Sequence, residues 1–203
     1  MVFLFKDKSD LNLIFLVLLS VALHYHVWMH PPLVVANDSD GILSYFLHHY
    51  LQHLSPWILI VLFHTIILSQ AIRLNILLSN FKMFQQISYI PAFTYIILTA
   101  IFPYWDVISA GLIANSLVIW ILVKLLRLYD QNQPKTLEFN IGLIVGLSII
   151  LYEPIAILIL VVLFALLVIR PFVLTEWIVL IMGILLPFYF IFTFVFLTGN
   201  LAD

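Results

Sequence analysis

The chain has 203 residues, of which 65% are hydrophobic and 9% charged, and its mean hydropathy is +1.19. Soluble domains carry roughly 25% charged residues, so no soluble fold could bury this much apolar surface. The formal net charge of −2 offers no basic surface to nucleic acid, and the absence of Cys excludes disulfides, thiolate nucleophiles and thiolate metal sites.

Seven apolar runs are predicted as helical spans: 11–28, 57–78, 87–104, 107–128, 139–152, 155–169 and 177–197. At about 1.5 Å per residue, most approach the hydrocarbon thickness of about 30 Å. The predicted fold class is therefore all-α, a single polytopic transmembrane bundle over 1–203.

The first run follows Lys6 and Lys8. Ser20-Val21-Ala22 within it resembles a small-residue cleavage site, but the run continues far enough to span. An external loop, 29–56, comes next. His30-Pro31-Pro32 forces an extended exit. Asn37-Asp38-Ser39-Asp40-Gly41 then precedes an amphipathic helix in which Ile42, Leu43, Phe46, Leu47, Tyr50, Leu51 and Leu54 recur at helical spacing. Asp38 or Asp40 can cap this helix. It carries no Lys or Arg, so burial of its apolar face rather than attraction to anionic lipid would lay it on the outer leaflet.

Arg73 and Lys82 follow the second run, Lys124, Arg127 and Lys135 the fourth, and Arg170 the sixth. With Lys6 and Lys8, all eight cations then fall on one side, the positive-inside pattern of a bacterial inner-membrane protein with a cytoplasmic N-terminus. Tyr25, Trp28, Trp57, Tyr104 and Trp105 mark the outer boundary, and Trp177 the inner one.

The fifth and sixth runs are separated only by Glu153-Pro154 and could form one kinked helix. Charge favours a hairpin, which returns Arg170 to the side of Lys135 and leaves Asp203 outside. Its arms, about 21–23 Å long at the helical rise, require close packing. Gly142 and Gly146 supply a small-xxx-small face for it.

Candidate chemistry lies on the outer side. Asp38, Asp40 and Glu153 are the candidate catalytic carboxylates, able to deprotonate an acceptor or hold a divalent cation. For Asp38 and Asp40 the structural alternative is a helix cap in a solvated turn, and for Glu153 it is an ordinary solvated turn. Six histidines, His24, His26, His30, His48, His49 and His53, cluster at the outer boundary, and His64 lies within the second run. His49 and His53, spaced i, i+4, complete a candidate metal set with Asp38 and Asp40. The alternative is that interfacial imidazoles turn their polar edges toward headgroups.

A carboxylate-bearing first external loop, a juxtamembrane helix and a polytopic core resemble the GT-C class of membrane glycosyltransferases. The residues that match its DxD-like element are Asp38 and Asp40. The resemblance implies polyprenyl-linked glycans as ligands and an external-loop carboxylate as general base or metal ligand. A self-sufficient transferase also needs a cation for the leaving phosphate, and every Lys and Arg is placed inside. The later half is similar to an uncharacterised family of Bacteroidota integral membrane proteins in its basic turn, Gly-containing short helix, Tyr152-Glu153-Pro154 break, Arg170, Glu176-Trp177 and Gly183-Ile184-Leu185-Leu186-Pro187. That family implies no activity. Two other functions fit the residues: a non-catalytic subunit packed in a larger envelope complex, or a small transporter built on His64 and Glu153-Pro154.

Overall fold

The computed structural model describes residues 10–37, 40–84, 88–129, 131 and 134–197. About 80% of these are helical. The helices are α1 (Asp10–Leu23), α2 (Tyr25–Met29), α3 (Ile42–Leu51), α4 (Pro56–Asn80), α5 (Ile90–Ala100), α6 (Ala110–Leu128), α7 (Lys135–Leu151), α8 (Leu158–Ile169) and α9 (Leu174–Leu197). Two-residue strands β1 (Val34–Val35) and β2 (Ile108–Ser109) pair in parallel, and 3-10 turns cover Pro103–Trp105 and Glu153–Ile157. Among the described residues, α4, α6 and α9 are long and apolar enough to cross a membrane, and the chain is an all-α membrane protein.

Local sequence accounts for several boundaries. Ser55 is extended and Pro56 opens α4, where its missing N–H is no loss. The first predicted span divides at His24 into α1 and α2. The third is shorter than predicted, because the helix ends at Ala100 and a 3-10 turn begins at Pro103. α7 begins earlier than its apolar run, at Lys135. It ends where Tyr152 becomes extended (φ −147°, ψ 102°), so 139–169 is not one continuous helix.

The fold divides into two compact units, 1–36 with 46–119 and 37–45 with 120–203. In the first, α1, α4 and α5 pack around Leu16, Phe63, Ile67, Ala92 and Ile96, all nearly inaccessible. A polar network ties α4 to α5 and α6. Tyr95 Oη donates to Gln70 Oε1 at 2.6 Å, while Gln70 Nε2 donates to the Leu112 carbonyl and to Ser116 Oγ, both at 2.7 Å. Asn115 Nδ2 donates to Tyr95 Oη at 2.8 Å. Gln70 thereby uses both amide hydrogens and its oxygen, which removes the penalty for burying it among apolar side chains.

In the second unit, α7 and α9 meet backbone to backbone. A Cβ at Gly142 would strike the Leu180 carbonyl, one at Gly146 the Ile184 carbonyl, and one at Gly183 the Phe139 carbonyl. The contact register rises along both helices together, from Gly142 against Leu180 to Gly146 against Pro187, so the two run parallel. The Gly142/Gly146 face foreseen as a packing surface is thus filled by α9 of the same chain.

Candidate functional site

Residues 37–45 belong to the second unit, and they carry one of the candidate carboxylates to the end of α7. Asp40 N–H donates to the Asn37 carbonyl and Asn37 N–H donates to Asp40 Oδ2, both at 2.9 Å, a turn that the Asx side chain closes on its own backbone. Asp40 then pairs with Tyr152 in an antiparallel bridge, and Gly41 N–H donates to the Leu151 carbonyl at 3.1 Å. Gly41 lies so close to the Ile150 carbonyl that no side chain fits at that position. The bridge sets Asp40 opposite the residue that precedes Glu153. Asp40 is 4% exposed, and its Oδ1 is buried without a hydrogen-bond partner among the described residues.

Beside this junction lies an apolar cavity of about 670 Å³, within the range of about 300–1,000 Å³ typical of small-ligand sites. Ile149 and Ile150 of α7, Phe188, Ile191, Phe192 and Val195 of α9, Gly41 and Ile42, and Glu153 and Ala156 of the 3-10 turn form its walls. Among the described residues of this lining Glu153 is the one ionisable group, and none is Lys or Arg. The cavity is apolar apart from this carboxylate. A carboxylate accepts hydrogen bonds from hydroxyls or binds a cation; it repels phosphate unless a cation intervenes.

The chain matches no family model, no curated protein and no solved structure.

The other proposed ligands are distributed differently. Asp38 lies outside the described residues. His49 and His53 belong to the first unit, where the i, i+4 spacing brings their ring centroids to 5.5 Å with the planes 87° apart; both are exposed. Among the described residues, no group of three or more His, Asp or Glu side chains is arranged to hold a metal ion. Within the second unit Asp40 and Glu153 are thus brought to one junction; within the first, His49 packs edge-on against both His53 and Tyr50. The cavity wall on α9 escaped sequence reasoning because its residues look like any lipid-facing apolar stretch. Gly41, directly after Asp40, was the available signal of a close backbone approach.

At the start of α7 the second unit gathers its charges. Arg170 donates from a guanidinium nitrogen to the Gln131 carbonyl at 2.7 Å, and its Nε lies 3.5 Å from Glu176 Oε2. Glu138, just ahead of the apolar run, is fully buried. Burial first, and then the neighbouring Glu176 carboxylate, push its carboxyl up to about 7, with Arg170 and Lys135 opposing. The folded chain therefore holds a proton that the unfolded chain releases near 4.5. The stability this contributes is complete below that value and is lost as pH rises through about 7. Glu138→Gln, permanently neutral, should melt higher than wild type at pH 8 and alike at pH 4, as read by thermal unfolding in detergent.

Proposed function

We propose that this chain is a bacterial inner-membrane protein that crosses the bilayer seven times and binds a polyprenyl-linked glycan at the outer leaflet. The isoprenoid chain occupies the cavity of the second unit, and Asp40 and Glu153 engage the headgroup. One observation carries the reading: the Asp40–Tyr152 bridge, which places a buried, incompletely bonded carboxylate beside an apolar cavity that already contains Glu153.

The seven-crossing topology with a cytoplasmic N-terminus draws support from two features of the second unit. Arg170 bonds residue 131, just ahead of α7, as a hairpin requires, and α7 and α9 run parallel, as they must if α8 crosses back between them. In this topology α3, whose Ile42, Tyr45, Phe46 and Tyr50 are exposed, rests on the outer leaflet. The likeness to GT-C enzymes then concerns architecture and the Asp38/Asp40 element.

With no cation among the described residues of the lining, a phosphate headgroup needs a divalent ion held by the carboxylates, and the chemistry favours binding over unaided transfer. Were transfer to occur, Asp40 or Glu153 would take the proton of the acceptor hydroxyl. Asp40→Asn combined with Glu153→Gln should abolish a glycan phenotype while membrane abundance stays at the wild-type level. Normal glycan in cells carrying that double variant would remove the proposal.

A second reading, a non-catalytic subunit of an envelope complex, draws on the same lack of cations in the cavity lining. The Gly142/Gly146 face no longer favours it, since α9 occupies that surface.

A further inference from the structure

The first unit buries two histidines that the glycan-binding reading does not use. His24, at the α1/α2 junction, is 1% exposed, and His64, on α4, is 7% exposed. Their ring centroids are 5.9 Å apart, with planes at 85°. Ser20 of α1 holds both. His24 Nδ1 lies 3.0 Å from the Ser20 carbonyl, and His64 Nδ1 lies 3.1 Å from Ser20 Oγ.

The first of these contacts fixes a tautomer. A carbonyl oxygen can only accept, so His24 Nδ1 carries the hydrogen and, in the neutral ring, Nε2 is a bare lone pair. That Nε2 is buried without a hydrogen-bond partner among the described residues, and so is Nε2 of His64. A basic lone pair shielded from water gains by acquiring a proton only if the resulting charge is compensated. Asp106, ahead of β2, is an acid close enough to His24 for the two charges to interact. Its Oδ1 is also buried without a hydrogen-bond partner among the described residues, and the charges of His24 and His26 oppose the upward push that burial gives its carboxyl.

We propose that His24 and His64 form a buried site that holds one proton, carried at Nε2, with Asp106 as its counter-charge. The proton comes from water. It adds to the lone pair of one ring without breaking any bond in the protein, and the imidazolium of His24 keeps its Nδ1–H on the Ser20 carbonyl. A second proton is excluded, because two imidazolium rings this close in a low-dielectric interior repel. Among the described residues, the other titratable groups on or next to α2 are Tyr25, which is exposed, His26 and His30, and Tyr95 on α5 is taken up by Gln70 and Asn115. Arg73, the next cation along α4, lies nine residues beyond His64, about 13 Å along the helix. Phe63 and Trp28, both against the rings, supply no charge.

The test is nitrogen NMR of histidine-labelled, full-length protein in nanodiscs, titrated from pH 8 to pH 5. One ring of the pair should take up a proton in this range, and its signal should vanish in His24→Gln or His64→Gln. Asp106→Asn should lower the midpoint by about one pH unit, the shift expected on losing an adjacent opposite charge. If one histidine variant does not fold, the other assigns the signals, and the Asp106→Asn shift still decides. Both rings remaining neutral down to pH 5, a midpoint indifferent to Asp106→Asn, or two independent titrations of the pair would each overturn the proposal.

Discussion

Replacing Gly183 by Leu should unfold the second unit or leave it too unstable to purify. A Cβ at this position already strikes the Phe139 carbonyl and stands 3.1 Å from the backbone nitrogen of Leu143. Neither atom belongs to a flexible side chain that could turn aside. The helices must therefore separate, and the contact forfeited is the close backbone approach of Gly142, Gly146 and Gly183. Between helices in lipid, van der Waals packing of this kind is the main attraction. A loss of about 3 kcal/mol or more is expected, at the upper end for overpacked sites. Denaturant titration in mixed micelles measures it. Ile181→Leu, on an exposed part of α9, should change stability little. Wild-type stability in Gly183→Leu would show that α7 and α9 do not pack as described.

Filling the cavity should separate binding from folding. Ala156 lines the cavity on the 3-10 turn, yet its own side chain is exposed. Trp at this position can occupy the chain-binding space without entering the α7–α9 contact. Polyprenyl lipid retained per protein through purification should fall about tenfold, equivalent to about 1.4 kcal/mol, while the melting temperature stays near wild type. Native mass spectrometry reads the retained lipid directly. Retention equal to wild type, with the fold intact, would place any bound chain elsewhere.

The long spans were legible because hydrophobicity alone defines them. The predicted runs 57–78, 107–128 and 177–197 correspond to α4, α6 and α9, with ends differing by three residues or fewer. The shorter elements were less legible, since their limits depend on tertiary partners. α7 extends back to Lys135, where Glu138 is buried near Arg170 and Glu176, groups remote in sequence. The turn at His24 likewise goes with a bond to Ser20 and a partner on α4, neither of which leaves a periodic signal.

The candidate site divides in the same manner. Asp38, Asp40 and Glu153 stand out in the sequence as carboxylates able to act as a base or to hold a cation, and Glu153 also because a carboxylate below the headgroups is costly unless something compensates it. What unites Asp40 and Glu153 is a backbone bridge between distant parts of the chain, and no local pattern encodes such a pairing. His49 and His53 show the converse. Their i, i+4 spacing brings two rings together on one stretch of chain, and the further ligands that a metal ion demands are not specified by local spacing.

Photo-crosslinking addresses the lipid-binding claim most directly. The full-length protein in nanodiscs would be irradiated with a polyprenyl-diphosphate oligosaccharide that carries a diazirine on its isoprenoid chain, and the labelled peptides mapped. Label concentrated on Phe188, Phe192 and Val195 of α9 and on the segment around Glu153, and lost in Ala156→Trp, is the predicted result. Label spread over the exposed face of α8, at Phe164 and Leu167, and unchanged in Ala156→Trp, would contradict it.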